Sequence, residues 1–194
     1  MLGLKGFGFQ NSNLTKHIHY RGNIKILQYL VEQKSIDIDA KDDQGCTPLI
    51  LGAVYNNSVC VSLLLQGGAK ILKSDKQDQN VLHKAAKEGS KDVIESIQNF
   101  FKTGGLEELV SKEYFLKKLM RQKDVRGNTP LMLALDSVAT GNTLTILLEM
   151  NKNLNMDLLN ERNKLNETLM HRACRYNLTF MFFTQNTIQS FFLV

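Results

Sequence analysis

One phrase occurs twice in this chain. "DQGCTPLILGA" spans residues 43–53, and "RGNTPLMLAL" spans 126–135. A threonine hydroxyl can accept a hydrogen bond from an orphan N–H at a helix start. Proline suits the next position, where its missing N–H is not needed. Thr47 and Pro48 therefore open one helix, and Thr129 and Pro130 open another. The stretches before them, "DDQG" and "DVRG", are tight turns. Gly45 and Gly127 in those turns are free to take an unusual backbone angle.

Spacing carries the reading further. Leu49 in "TPLILGA" and Leu82 in "NVLHKAA" are 33 residues apart. Between them come a short helix, a loop, a second helix and a turn. The second helix, "SVCVSLLLQGGA", puts Val61, Leu64 and Leu65 on one stripe and stops at Gly67 and Gly68. "RGNIKILQYLVEQK" is a half-seen earlier helix with Ile24, Leu27, Leu30 and Val31 on one face. A helix pair has an apolar face it cannot bury alone, so such units must stack. The small residues Ala53, Ala85 and Ala134 let first helices approach closely.

The period then breaks. Leu82 and Leu131 are 49 residues apart, 16 more than one step. The extra length falls near "KTGGLEELVSKEYFLKKLMRQKD", where Leu106, Leu109, Val110, Phe115, Leu116 and Leu119 keep roughly helical spacing. An added helix is expected there. From Leu131 to Met170 the step is 39.

Composition narrows the class. The chain has 194 residues, is 43% apolar, and holds two prolines, so it can bury a core and is no disordered linker. A net charge of +5 is mild and fits a soluble surface better than a nucleic-acid footprint, which would need clustering on one face, so no nucleic-acid partner is expected. Cys46, Cys60 and Cys174 are an odd, widely spaced set, which points to a reducing compartment and away from disulfides. No secretion signal or apolar run long enough for a confident membrane span occurs.

The unit resembles the ankyrin repeat. Gly45, Thr47, Pro48, Leu49, Ala53, Leu64, Leu65, Gly68 and Ala69 fill its pattern in the first clear unit. Leu82, His83, Ala85, Ala86 and Gly89 do so in the second, where Asn80 replaces the capping threonine. Gly127, Thr129, Pro130, Leu131 and Ala134 follow in the third, and Thr168, His171 and Ala173 in the fourth. The resemblance implies an all-α solenoid of helix-turn-helix units joined by β-turn or hairpin loops. The array is expected over residues 22–177, in about four to five units with an insertion near 103–123. Residues 1–21 form a degenerate leading segment, and 178–194 an atypical apolar tail.

Some phrases are narrower than that pattern. "NNSVCVSLLLQGGAKILKSD", "VLHKAAKEGSKDVIESI" and "LNETLMHRACRYN" are similar to the amino-terminal ankyrin region of the ankyrin-type, subfamily A transient receptor potential channels. The long connection before the second "TPL" is also similar. The resemblance implies the cytosolic array of a tetrameric cation channel, lying outside the pore and serving as a regulatory scaffold. The other reading is a free-standing ankyrin adaptor. The tail "LTFMFFTQNTIQSFFLV" lacks the polar face of a normal solenoid end, which favours an interrupted array.

No motif of catalysis, cofactor binding or metal binding stands out, so neither an enzyme nor a small-molecule substrate is expected. His171 and Cys174 share a helix face, and "HIH" occupies 17–19, but neither has enough ligands for a metal. His83 and His171 instead have a place beside their caps, Asn80 and Thr168. Cys46, at a turn, is the cysteine expected to be open to modification. "FLKKLMRQK" is locally basic and partly amphipathic, a feature of membrane-surface or calmodulin-target helices, though also of ordinary charged ones. Protein partners should meet the turn tips and first helices, with Asp43, Gln79 and Arg126 foremost, and with Gln44, Cys46, Gln77 and Asn128 beside them.

Overall fold

The computed structural model describes residues 24–33, 35–103, 106–137 and 140–175. The leading segment 1–21, its "HIH" and the tail 178–194 lie outside the described residues.

The helices run in chain order as α1 (Ile24–Glu32), α2 (Pro48–Val54), α3 (Ser58–Gln66), α4 (Val81–Glu88), α5 (Lys91–Lys102), α6 (Leu106–Arg121), α7 (Pro130–Leu133), α8 (Thr140–Asn153) and α9 (Leu169–Arg175). A single 3-10 turn, Ala134–Asp136, extends α7. Among the described residues no named strand occurs, and one isolated bridge joins Ser74 to Asn80.

Local sequence explains the starts. Thr47 Oγ1 accepts from the Ile50 N–H, and Thr129 Oγ1 from the Met132 N–H, with Pro48 and Pro130 just inside each helix. Asn80 caps α4 by accepting from Leu82 and His83. Gly89, at φ +71°, closes that helix in the left-handed conformation.

The helices form two layers. First helices pack in the order α2, α4, α7, α9, and second helices in the order α1, α3, α5, α8. Leu49, Leu82 and Leu131 sit between layers at 1%, 0% and 1% exposure. Ala53, Ala85 and Ala134 are fully buried where first helices stack. In α1, Leu27 is buried and Leu30 and Val31 are half-buried, but Ile24, expected on the same face, is exposed.

Helix α6 falls in the segment of broken spacing. It lies outside both layers and packs on α5 and α7. Leu116, Leu119 and Met120 are buried. Leu116, Leu119 and Met120 of "FLKKLMRQK" are thereby taken up by the fold, while Phe115, Lys118 and Arg121 stay exposed. A membrane-surface role for that segment thus loses three of its four apolar side chains.

The close stacking of successive turns has a steric signature. Gly127 takes φ +78°, and a Cβ there would stand 2.7 Å from the Lys164 backbone nitrogen of the next turn. Gly45 repeats this, with φ +78° and 2.9 Å to the Lys76 nitrogen. Gly127→Ala should destabilise the chain by about 1–3 kcal/mol, from left-handed strain and this contact together. Urea unfolding checks it, and an unchanged midpoint would show that the turns are not stacked this way.

Candidate protein-interaction surface

The edge of the solenoid is a row of four turns with one design. Five residues before each helix cap stands an Asp or Asn: Asp42, Asp75, Asp124 and Asn163. Each side-chain oxygen accepts two N–H groups of its own turn. The pairs are Gln44 and Cys46, Gln77 and Gln79, Arg126 and Asn128, and Leu165 and Glu167, all at 2.8–3.0 Å. These side-chain locks hold the turn in shape. The residue three places on takes positive φ each time: Gly45, Asp78, Gly127 and Asn166. Gly, Asp and Asn are the residues that tolerate it.

The turns then bond to one another. The Lys76 N–H donates to the Gln44 carbonyl, Val125 to Gln77, and Lys164 to Arg126, at 2.9–3.0 Å. Spacing along the edge is fixed by backbone, so side chains on it project from a rigid ledge. Asp43, Gln44, Lys76, Gln77, Asp78, Arg126 and Lys164 are exposed there, and Leu165 is 74% exposed. The ledge carries both charge signs and suits a polar, extended partner surface.

Three residues expected on this ledge are inside. Gln79 is 9% exposed, and its amide donates to Asp124 Oδ2 at 3.2 Å. Asn128 is 4% exposed and also bonds Asp124. Cys46 is buried, and its thiol is pushed up to about 11 by burial, then by Asp42 and Asp75. It is therefore neither exposed nor a thiolate, and the modification expected of it lacks a basis. For Gln79 and Asn128 the following turn bonds the side chain, through Asp124 and Asn163. Cys60 is buried too, its thiol raised to about 12, whereas Cys174 is exposed.

The polar layer behind the ledge links units. His83 is fully buried. Its Nε2–H donates to the Asn128 carbonyl at 3.1 Å, and its Nδ1 accepts from the Asn80 N–H at 3.3 Å. Nδ1 also stands 2.8 Å from Asn80 Oδ1, a contact that a second ring proton would satisfy. Burial outweighs that pull, together with those of Asn128 and Asp124, and brings the imidazole down to about 4. Asp75, also buried, pairs with Lys84 at 2.8 Å. Asn80 further donates to the Leu119 carbonyl and Gln122 Oε1, anchoring the end of α6. In the fourth unit Arg172 is 6% exposed and reaches Asn128 and Asp136. Arg175 pairs with Glu167. His171 is exposed and bonds Thr168 at 2.8 Å, so it keeps the cap contact without the burial of His83.

His83 gives the fold a pH dependence. A histidine whose folded value lies below its unfolded 6.5 stabilises fully above pH 6.5 and loses that contribution as pH falls toward 4. The shift corresponds to about 3 kcal/mol. Urea unfolding at pH 7 and pH 4.5 should show this loss, and His83→Gln should remove most of the difference. An equal pH dependence in both proteins would overturn the assignment.

Comparison with known proteins fits this geometry. The family described as Ankyrin repeats matches residues 14–104 in three copies. The chain is 36% identical over 85 residues to Transient receptor potential cation channel subfamily A member 1 of Homo sapiens, covering 43% of this chain and 8% of that protein. It is 42% identical over 65 residues to Delta-latroinsectotoxin-Lt1a of Latrodectus tredecimguttatus, covering 32% and 5%. It is 31% identical over 101 residues to Probable palmitoyltransferase AKR2 of Saccharomyces uvarum, covering 47% and 14%. The chain thus spans a small part of each relative's length. What these proteins share with it is the repeat. With its stacked helix pairs, locked turns and capped first helices, the chain has an all-α repeat fold and carries ankyrin repeats, matched over residues 14–104.

Proposed function

We propose that the chain is the cytosolic ankyrin-repeat portion of a transient receptor potential cation channel subunit of the subfamily A type. In this reading it serves as an interaction and regulatory scaffold and forms no pore by itself. The observation that carries it is the 36% identity over 85 residues with the human subfamily A channel. The long step between Leu82 and Leu131, filled by α6, adds support through its likeness to the irregular connection of that family. Its partners would be neighbouring repeats, other subunits of a tetramer, and proteins docking on the turn ledge. Membrane attachment would come from segments outside this chain. Among the described residues no helix is long and apolar enough to cross a membrane.

A second reading is a free-standing ankyrin adaptor. The spread of matches over proteins as different as Inversin and a Probable E3 ubiquitin-protein ligase favours it, since ankyrin arrays serve many hosts.

Transcript sequencing across the Asn177 codon separates the two. The channel reading expects an open frame continuing into further repeats and a set of apolar spans. A verified stop after Val194, with a protein that purifies without detergent, would establish the adaptor instead. For the ledge, an Asp43→Ala, Arg126→Ala double substitution should abolish capture of the protein's own partners while leaving its melting temperature within about 2 °C. Undiminished capture would move the binding face elsewhere.

A further inference from the structure

On the outer layer, away from the residues of the turn ledge, the insertion leaves an open groove of about 610 Å³. It lies between the segment that follows α3, the end of α5 and the middle of α6. Ile71, Leu72, Phe100, Phe101 and Phe115 give it an apolar floor. Phe100 and Phe101 meet edge to face at 5.5 Å, and Tyr114 and Phe115 do the same at 5.7 Å. Phe115 is 41% exposed and Tyr114 62%, so the aromatic surface continues out of the groove. In a regular array the chain passes from the second helix into the next turn. Here it runs from α5 into α6, and the next turn is delayed to Asp124.

Among the described residues that line the groove, the charged ones are all lysines. Lys70, Lys73 and Lys112 line it, and among the described residues lining it there is no carboxylate. Lys70 and Lys73 are exposed. Lys112 lies 4.9 Å over the Phe100 ring and donates to the Thr103 carbonyl, which holds its positive charge at the mouth. An apolar floor with a cationic rim complements a segment whose apolar side chains are flanked by acids.

We infer that this groove is a docking site for a short acidic peptide segment of a protein partner, anchored by aromatic or leucine side chains. The floor takes the anchors, and Lys70 and Lys73 take the flanking carboxylates. The site is separate from the turn ledge and holds for either reading of the chain's origin.

Fluorescence anisotropy with the full 194-residue chain tests it. The probe is a labelled peptide carrying two phenylalanines and a leucine between glutamates. Its control carries lysines in place of the glutamates. The acidic probe should bind, and binding should weaken as salt rises. Lys70→Glu with Lys73→Glu should reduce affinity about tenfold or more and reverse the preference toward the basic peptide. Phe115→Ala should weaken both, and Arg126→Ala, on the ledge, should change neither. Circular dichroism melting confirms that each variant is folded. Absence of binding by the acidic probe, equal binding of both peptides, or insensitivity to the lysine reversal would overturn the proposal. Charge-dependent capture on phosphatidylserine vesicles without peptide binding would also overturn it, assigning the lysines to a membrane surface.

Discussion

Asp124 accepts two N–H groups of its own turn and the side-chain amide of Gln79 in the turn before. One buried side chain thereby shapes a loop and joins it to its neighbour. Asp42, Asp75 and Asn163 shape their own turns in the same way. The helices depend on this. Each unit presents an apolar face too large for it to bury alone, and the stacked turns set the distance at which the next unit covers it. The Ser90 hydroxyl, which donates to the Ala53 carbonyl at 2.7 Å, adds a second tie across the first such junction.

Where the period breaks, the same logic is bent rather than abandoned. The cap of α4 is Asn80, not threonine. Its oxygen caps the helix as a threonine would, while its amide donates to the end of α6. A hydroxyl, with a single donor, could not make both of the amide's bonds, to the Leu119 carbonyl and to Gln122 Oε1. The insertion is thus bonded to the repeat it interrupts, and the Val125 N–H still finds the Gln77 carbonyl beyond it. The groove beside α6 follows from the delayed turn. Regularity at the edge is kept while a new surface opens on the outer layer.

Much of this was legible in the residues. Thr47, Pro48, Thr129 and Pro130 announce helix starts because the chemistry of a cap is local. Leu106 to Leu119 announces a helix because its spacing is local too. The burial of Gln79, Asn128 and Cys46 was not legible. Polar residues at turns are usually exposed, and their cover here comes from turns that lie at varying distances along the chain. The Asp or Asn five residues before each cap was open to view, but a single acidic residue in a turn is common. Only alignment on the caps, across steps of 33, 49 and 39 residues, makes it stand out.

An array locked in this way holds the turn ledge in one shape, and a pre-organised surface costs little ordering on binding. That suits a scaffold, whether it stands alone or belongs to a channel. Centrally, the Asp124 carboxylate couples its own unit to the one before it. Amide hydrogen exchange on Asp124→Ala, in the full chain, measures this coupling most directly. Protection should fall at Arg126 and Asn128 and also at Asn80 and His83 in the preceding unit. Loss confined to residues 124–128 would contradict the coupling.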